Sequence, residues 1–239
     1  MTPDAGAPRS EVASRRAFVL RRLHSLSGVL PLGVFVVAHL WTNASALGGR
    51  APFNRAVDEL QSLPALPAIE VVGVLLPLAF HAAFGVYLST RGRPNVARYN
   101  HGRNWAYLFQ RVSGVVALVF VVAHLWELRV QKWLFGLSHS AFYDTLALHL
   151  GGTRLGLPLV ALFYLLGVGA VAFHLANGLV TFCMTWGLVV SRAAQKRLEL
   201  VFAVGGSALF LLGAGTVLSL ATGSHLGAED PAGLSAPCP

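Results

Sequence analysis

Five apolar runs, near residues 24–46, 66–90, 106–130, 156–187 and 199–221, leave this chain few folds to choose from. A helix needs about 20 apolar residues to cross the hydrocarbon core of a bilayer, and each run is long enough. Inside lipid every backbone N–H and C=O must be satisfied by the chain itself, which admits only helices or closed barrels. The runs show no apolar–polar alternation, so they read as helices. Only 12% of the 239 residues are charged, against about 25% in soluble domains. The expectation is an all-α membrane protein with five transmembrane helices. The first run lacks a small-residue cleavage site at its end and is expected to be a retained helix, not a signal peptide.

The charges that remain are unevenly placed. Thirteen of the 18 Lys and Arg fall before helix 1, between helices 2 and 3 or at the start of 3, and between helices 4 and 5. The other five, Arg50, Arg55, Arg129, Lys132 and Arg154, fall on the opposite side. Positive charge collects on the cytoplasmic side, so the N-terminus is expected in the cytoplasm and the C-terminus outside. The net charge of +8 thus reports topology and an anionic lipid surface, with no case for nucleic-acid binding. Residues 1–14 are expected to be a disordered tip, 15–221 the five-helix domain and 222–239 an external tail. The 47–65 loop suggests an amphipathic turn and the 131–153 loop a surface helix. Cys183 and Cys238 form no C-x-x-C, so covalent c-type haem and iron–sulfur ligation by this chain are not expected.

Two internal echoes carry the chemistry. "SGVLPLGVFVVAHLW" in helix 1 parallels "SGVVALVFVVAHLW" in helix 3, and "AFHAAFG" in helix 2 parallels "AFHLANG" in helix 4. Each echo centres on a histidine: His39, His124, His81 and His174, one per helix. Ionisable residues inside a membrane are functional candidates by default. Helices 1 and 3 run outward, and His39 and His124 both fall in the outer half. Helices 2 and 4 run inward, and His81 and His174 both fall toward the cytoplasm. The histidines therefore form two level pairs, each joining helices that share a motif.

Two opposed neutral imidazoles in an apolar bundle are what a six-coordinate haem b requires, and double ligation favours electron transfer over oxygen chemistry. The expectation is two haems b with iron held by His39 and His124, and by His81 and His174. Gly85 and Gly178, each four residues beyond a histidine, leave room for a porphyrin or serve close helix packing. Phe35 and Phe120, each four residues before one, pack on a ring edge or are ordinary apolar residues. Zinc fits poorly, because no Cys or carboxylate joins either pair. Arg22, His24, Ser27, Arg111 and Ser113, at the inner ends of helices 1 and 3, are candidates for haem propionates through charge-assisted hydrogen bonds; for the arginines topology alone is the other reading.

At this point the sequence resembles a known family, the five-helix, di-haem cytochrome b membrane-anchor subunit (cytochrome b558-type) of succinate:quinone oxidoreductases and fumarate reductases. The matching stretches are "RRLHSLSGVLPLGVFVVAHL", "EVVGVLLPLAFHAAFGVY", "RNWAYLFQRVSGVVALVFVVAHLWE" and "FHLANGLVTFCMTWG". The resemblance implies a multi-pass subunit of the bacterial cytoplasmic (inner) membrane, in a respiratory complex of the tricarboxylic acid cycle. A flavoprotein subunit with FAD would oxidise succinate. An iron–sulfur subunit would pass electrons to this anchor, which delivers them to quinone, with menaquinone expected. His81 and His174 would hold the proximal haem and His39 and His124 the distal one. Some fumarate reductases of the family carry a glutamate two residues before the fourth ligand, where this chain has Ala172, which favours succinate oxidation.

Quinone reduction consumes protons, which singles out Glu70 for a quinone site. It lies eleven residues before His81, within about 20° of the same helix face and about 16 Å further outward. A helix-end carboxylate near the dipole's positive end is the plainer reading. Asp58 and Glu127 are weaker candidates at that depth. His101, His139, His149 and His225 fall in loops or the tail, with no partner the sequence names. The competing functions are a fumarate reductase anchor working in reverse, and a non-redox transporter with a histidine proton relay. A relay would string its histidines along one path, not in level pairs.

Overall fold

A computed structural model of the chain describes residues 7–92 and 96–226, with side chains from residue 14 onward. The start of the expected tip, the basic residue Arg93, the tail from 227 and Cys238 lie outside the described residues. Among the described residues there is no β-strand beyond one isolated bridge, Arg154 with Leu157. Five helices are long and apolar enough to cross a membrane: α1 (Ser14–Gly48), α3 (Leu66–Arg91), α4 (Gly102–Phe135), α6 (Leu159–Thr185) and α7 (Arg192–Thr222). Two shorter helices, α2 (Arg50–Gln61) and α5 (Phe142–Gly151), lie in the loops between them. The helical path of α1 begins earlier, at Ala7, inside the segment expected to be a tip.

The spans are not uniform helices, and prolines account for two of the breaks. Proline has no N–H and its ring crowds the carbonyl four residues back. In α1 the helix is interrupted at Leu30, just before Pro31, and resumes over Pro31–Asn43. In α3 the residues before Pro77, Ile69–Leu75, adopt the wider π-helical turn. A second π segment, Leu125–Val130, follows His124 in α4 and has no proline to explain it.

Helices α1, α3, α4 and α6 form a bundle in which α1 packs on α3 and α6, and α6 also packs on α4. Helix α7 lies outside, against α6 and the far half of α1. Small residues permit the close α6–α7 approach: a Cβ on Gly206 would come within 2.7 Å of the Ala176 Cβ. Two helix pairs, α1 with α4 and α3 with α6, therefore face each other diagonally.

The bundle has two chemically different ends. At the basic end Arg103 pairs with Glu199 at 2.9 Å, joining the starts of α4 and α7. At the other end, α2 and α5 do more than coat the surface. Phe53 and Val57 of α2 and Tyr143, Leu146 and Leu150 of α5 are buried against Val217 and Leu220 of α7. Arg50 bridges the two loop helices through Asp144 at 2.5 Å. We call this the loop-helix end.

Candidate functional site

The four histidines meet across the two diagonals. His81 of α3 and His174 of α6 have ring centroids 6.1 Å apart with planes at 86°. His39 of α1 and His124 of α4 have centroids 5.8 Å apart with planes at 74°. The pairing expected from depth is the pairing by proximity. Among the described residues no cluster of three or more His, Cys, Asp or Glu could hold a metal ion.

The hydrogen bonds of the basic-end pair fix its tautomers. His81 Nδ1–H donates to the His24 carbonyl at 3.0 Å, and His174 Nδ1–H donates to the Gln110 carbonyl at 3.1 Å. A carbonyl can only accept, so the proton sits on Nδ1 and Nε2 keeps its lone pair for a ligand. Ser27 lies between His24 and His81, donating to the His24 carbonyl at 2.9 Å with Oγ 3.5 Å from His81 Nδ1. Ser113 repeats this: Oγ donates to the Gln110 carbonyl at 3.2 Å and lies 3.3 Å from His174 Nδ1. The two hydroxyls expected at propionates stand behind histidines of neighbouring helices.

Each histidine also presses on the glycine that follows the serine. A Cβ on Gly114 would come within 2.9 Å of His174 Cε1, and one on Gly28 would collide with the His81 ring. The "SG" of the repeat is therefore a seat for an imidazole from the neighbouring helix. The glycines beyond the histidines have a related use. A Cβ on Gly85 would come within 3.2 Å of His24 Cε1, and one on Gly178 within 3.5 Å of Gln110 Nε2. His24 and Gln110 occupy equivalent places in the repeat, so the room at these glycines goes at least in part to protein side chains.

Three of the expected propionate residues retain buried polar atoms with no partner: Arg22 Nη1, His24 Nδ1, and Arg111 Nε and Nη1. The Arg22 guanidinium sits 4.9 Å from the Trp186 ring centroid and that of Arg111 3.7 Å from Tyr107. Aromatic faces hold these groups without satisfying their N–H donors. Buried donors left open cost free energy and suit an acidic group.

The loop-helix-end pair is wired differently. His124 Nδ1–H donates to Tyr164 Oη at 3.2 Å. Tyr164 Oη–H donates to Glu127, and Glu127 also accepts from His149 Nδ1. Among the described residues the hydrogen-bond partner of the His39 ring is Asn43, one turn on in its own helix, with Nδ2 3.4 Å from both ring nitrogens. Phe35 and Phe120 stack on His39 and His124 at 5.2 and 5.7 Å.

Glu70 is ion-paired with Arg129 across the α3–α4 gap. It lies inside the π segment, so the 100° per residue used to align it with His81 does not hold through that turn. Asp58 lies 3.2 Å from His139, and His225 approaches Tyr143 Oη at 3.5 Å. Three of the four loop and tail histidines thus have partners that the sequence did not name. Sequence reasoning also missed Tyr164, Gln110 and Asn177. Asn177 donates to Gln110 Oε1 at 2.7 Å and ties α6 to α4; the N of "FHLANG" was its signal.

The family described as succinate dehydrogenase/fumarate reductase transmembrane subunit matches residues 89–214. The chain is 37% identical over 185 residues, 77% of its length and 88% of the relative's, to the succinate dehydrogenase cytochrome b558 subunit of Bacillus subtilis (strain 168). The chain belongs to the succinate dehydrogenase/fumarate reductase transmembrane subunit family. Residues 89–214 carry His124 and His174, one from each diagonal pair, and the longer alignment reaches well beyond that segment. Membership agrees with five membrane-length helices and with the all-helical fold.

Proposed function

We propose that the chain is the membrane anchor and electron-transfer subunit of a succinate dehydrogenase, and that it binds two haems b. The observation that carries this reading is the pair of diagonal imidazole pairs in an apolar bundle. Their donor set fits the group: two neutral imidazoles per site, with Nδ1 of His81, His174 and His124 engaged in hydrogen bonds that leave Nε2 for iron. His81 and His174 would hold the proximal haem; His39 and His124 the distal one. Arg22, His24 and Arg111 would answer propionates with the open donors they retain. When bound, the haems supply one-electron relays between the two membrane faces.

The chain's residues set the rest. The basic end would face the cytoplasm and receive an iron–sulfur subunit bound to a flavoprotein that oxidises succinate. Quinone, with menaquinone expected, would be reduced beside the distal pair at the loop-helix end. Two carboxylates stand there, Glu70 held by Arg129 and Glu127 held by Tyr164 and His149. Glu70 remains our candidate for proton exchange with quinone. Ala172 in place of a glutamate favours succinate oxidation over fumarate reduction. The level pairing argues against a transporter relay.

The test is a pyridine haemochrome assay on the purified anchor. Two haems b per chain are expected; one or none overturns the reading.

A further inference from the structure

His174 and Gln110 are bonded to each other twice. The His174 ring donates from Nδ1 to the Gln110 carbonyl at 3.1 Å, and the Gln110 side chain donates from Nε2 back to the His174 carbonyl at 3.0 Å. Asn177, three residues after His174 on α6, donates from Nδ2 to Gln110 Oε1 at 2.7 Å and to the Ala106 carbonyl at 3.2 Å. An amide nitrogen carries two hydrogens, so both bonds form together. The Gln110 carboxamide is thereby fixed, with its oxygen toward Asn177 and its nitrogen toward the His174 backbone. Resting on the haem reading above, we propose that Gln110 and Asn177 are positioning residues for His174. Asn177 orients Gln110, and Gln110 holds α4 and α6 at the spacing that keeps His174 Nδ1 on a carbonyl and its ring plane fixed.

The repeat supplies a comparison. His24 stands where Gln110 stands, and Phe84 where Asn177 stands. In that half the support is aromatic: the His24 ring centroid lies 4.1 Å from that of His81 and 5.7 Å from that of Phe84. Both halves use the same backbone contact, a carbonyl of the neighbouring helix accepting from a histidine Nδ1. A stacked ring backs that contact at His81, and an amide pair backs it at His174. Unlike side chains behind like contacts let the amide pair be changed without touching the other half.

The amides act on His174 without charge and without moving a proton. A hydrogen bond from Nδ1 makes Nε2 a stronger donor to a metal, and losing an outer partner of this kind typically costs about 10–100-fold in metal affinity. A stronger donor favours the oxidised metal, which carries one more positive charge. Loosening the Nδ1 bond should therefore ease reduction at the proximal pair and leave the distal pair as it was.

The experiment uses the whole complex and compares the parent with Asn177→Leu, Gln110→Met and the two combined. Asn177→Leu removes both Nδ2 donors and keeps every atom of Gln110. Gln110→Met removes both side-chain bonds and keeps the backbone carbonyl. The readouts are haem content, the midpoint potential of each haem, and the largest g value of each in the EPR spectrum, which reports the angle between the two ligand planes. Both single variants should raise the proximal potential and move the proximal g value, with the distal values at parent. Proximal haem affinity should fall toward the range of about 10–100-fold in Gln110→Met. Because Asn177 acts through Gln110, the combined variant should match Gln110→Met instead of summing the two effects. Parent potential and g value at the proximal haem in both single variants, even with a lowered Tm, overturn the proposal and make the amides a tie between helices. Equal shifts at both haems, or additive shifts in the combined variant, overturn it as well. If Gln110→Met retains no proximal haem, Asn177→Leu decides. A parent complex with fewer than two haems overturns the haem reading and this proposal with it, whereas two haems with unmoved variants overturn the positioning role alone.

Discussion

The imidazole of His24 lies flat on that of His81, with ring centroids 4.1 Å apart and planes 13° apart. The two rings come from α1 and α3 and meet where Gly85 leaves room for His24. His24 thus supports His81 twice, through its ring and through the backbone carbonyl that accepts from Nδ1. Its ring can also offer Nδ1 to an acid, which ties the stack to the reading of His24 as a propionate contact.

That double role makes His24→Ala informative. The carbonyl survives the substitution, so the His81 tautomer should hold and proximal haem should still bind. The ring is lost, so His81 gains rotational freedom and the proximal reduced band should broaden or shift in a low-temperature spectrum. The distal band should not move. Equal changes in both bands would mean that His24 acts on the whole bundle.

The diagonal pairing predicts how ligand variants group. His39→Ala and His124→Ala each delete one ligand of one iron and should give like spectra, with the distal haem lost and some proximal haem kept. His81→Ala and His174→Ala should form a second like set. Spectra of His39→Ala that match His81→Ala would break the pairing.

Much of this was legible because each signal is local to one helix. Apolar length locates the spans, and a histidine's depth follows from its distance along one of them. What the sequence hid depends on packing between helices. Ser27 and Ser113 read as polar residues near a membrane face, yet their hydroxyls back histidines of neighbouring helices; the repeated "SG" was visible, but its use was not. Tyr164 and Glu127 lie 37 residues apart, and no spacing rule links them. Glu70 was placed by a uniform helical period that the π turn before Pro77 interrupts. The loop helices α2 and α5 show as short polar segments, while the packing that buries Phe53 and Leu150 is tertiary.

Gly28→Ala and Gly114→Ala test the imidazole seat. A methyl at Gly114 would sit 2.9 Å from His174 Cε1, and overpacking of this kind typically costs about 1–3 kcal/mol. The histidine must turn or the helices must part. Proximal haem content should fall in both variants while distal haem is largely retained. Full proximal occupancy in both, by haemochrome assay and reduced spectrum, would show that the seat yields without consequence.

The Glu70–Arg129 pair predicts a result that separates stability from chemistry. Both side chains are mostly buried, at 22% and 18% exposure, and removing one partner of such a pair leaves an uncompensated charge. Glu70→Gln should lower the Tm of the purified complex, and Glu70→Gln with Arg129→Gln should recover part of it. If Glu70 exchanges protons with quinone, both variants should reduce quinone slowly while artificial-acceptor activity stays normal. Quinone reduction that tracks Tm across the series would make Glu70 a structural ion-pair partner only.

The last prediction concerns what this chain needs from others. It carries two cysteines, Cys183 and Cys238, far apart in sequence, whereas iron–sulfur clusters are held by sets of cysteines; the assignment as an anchor therefore expects flavin and iron–sulfur clusters on partner subunits. Its basic end offers the charge and the open donors of Arg22 and Arg111. Expressed alone in membranes, it should show no succinate oxidation with an artificial acceptor, even with both haems bound. Adding the flavoprotein and iron–sulfur subunits together should create succinate-dependent reduction of the haems, and neither subunit should do so singly. Haem reduction by succinate in membranes that contain only this chain would overturn its assignment as an anchor dependent on soluble partners.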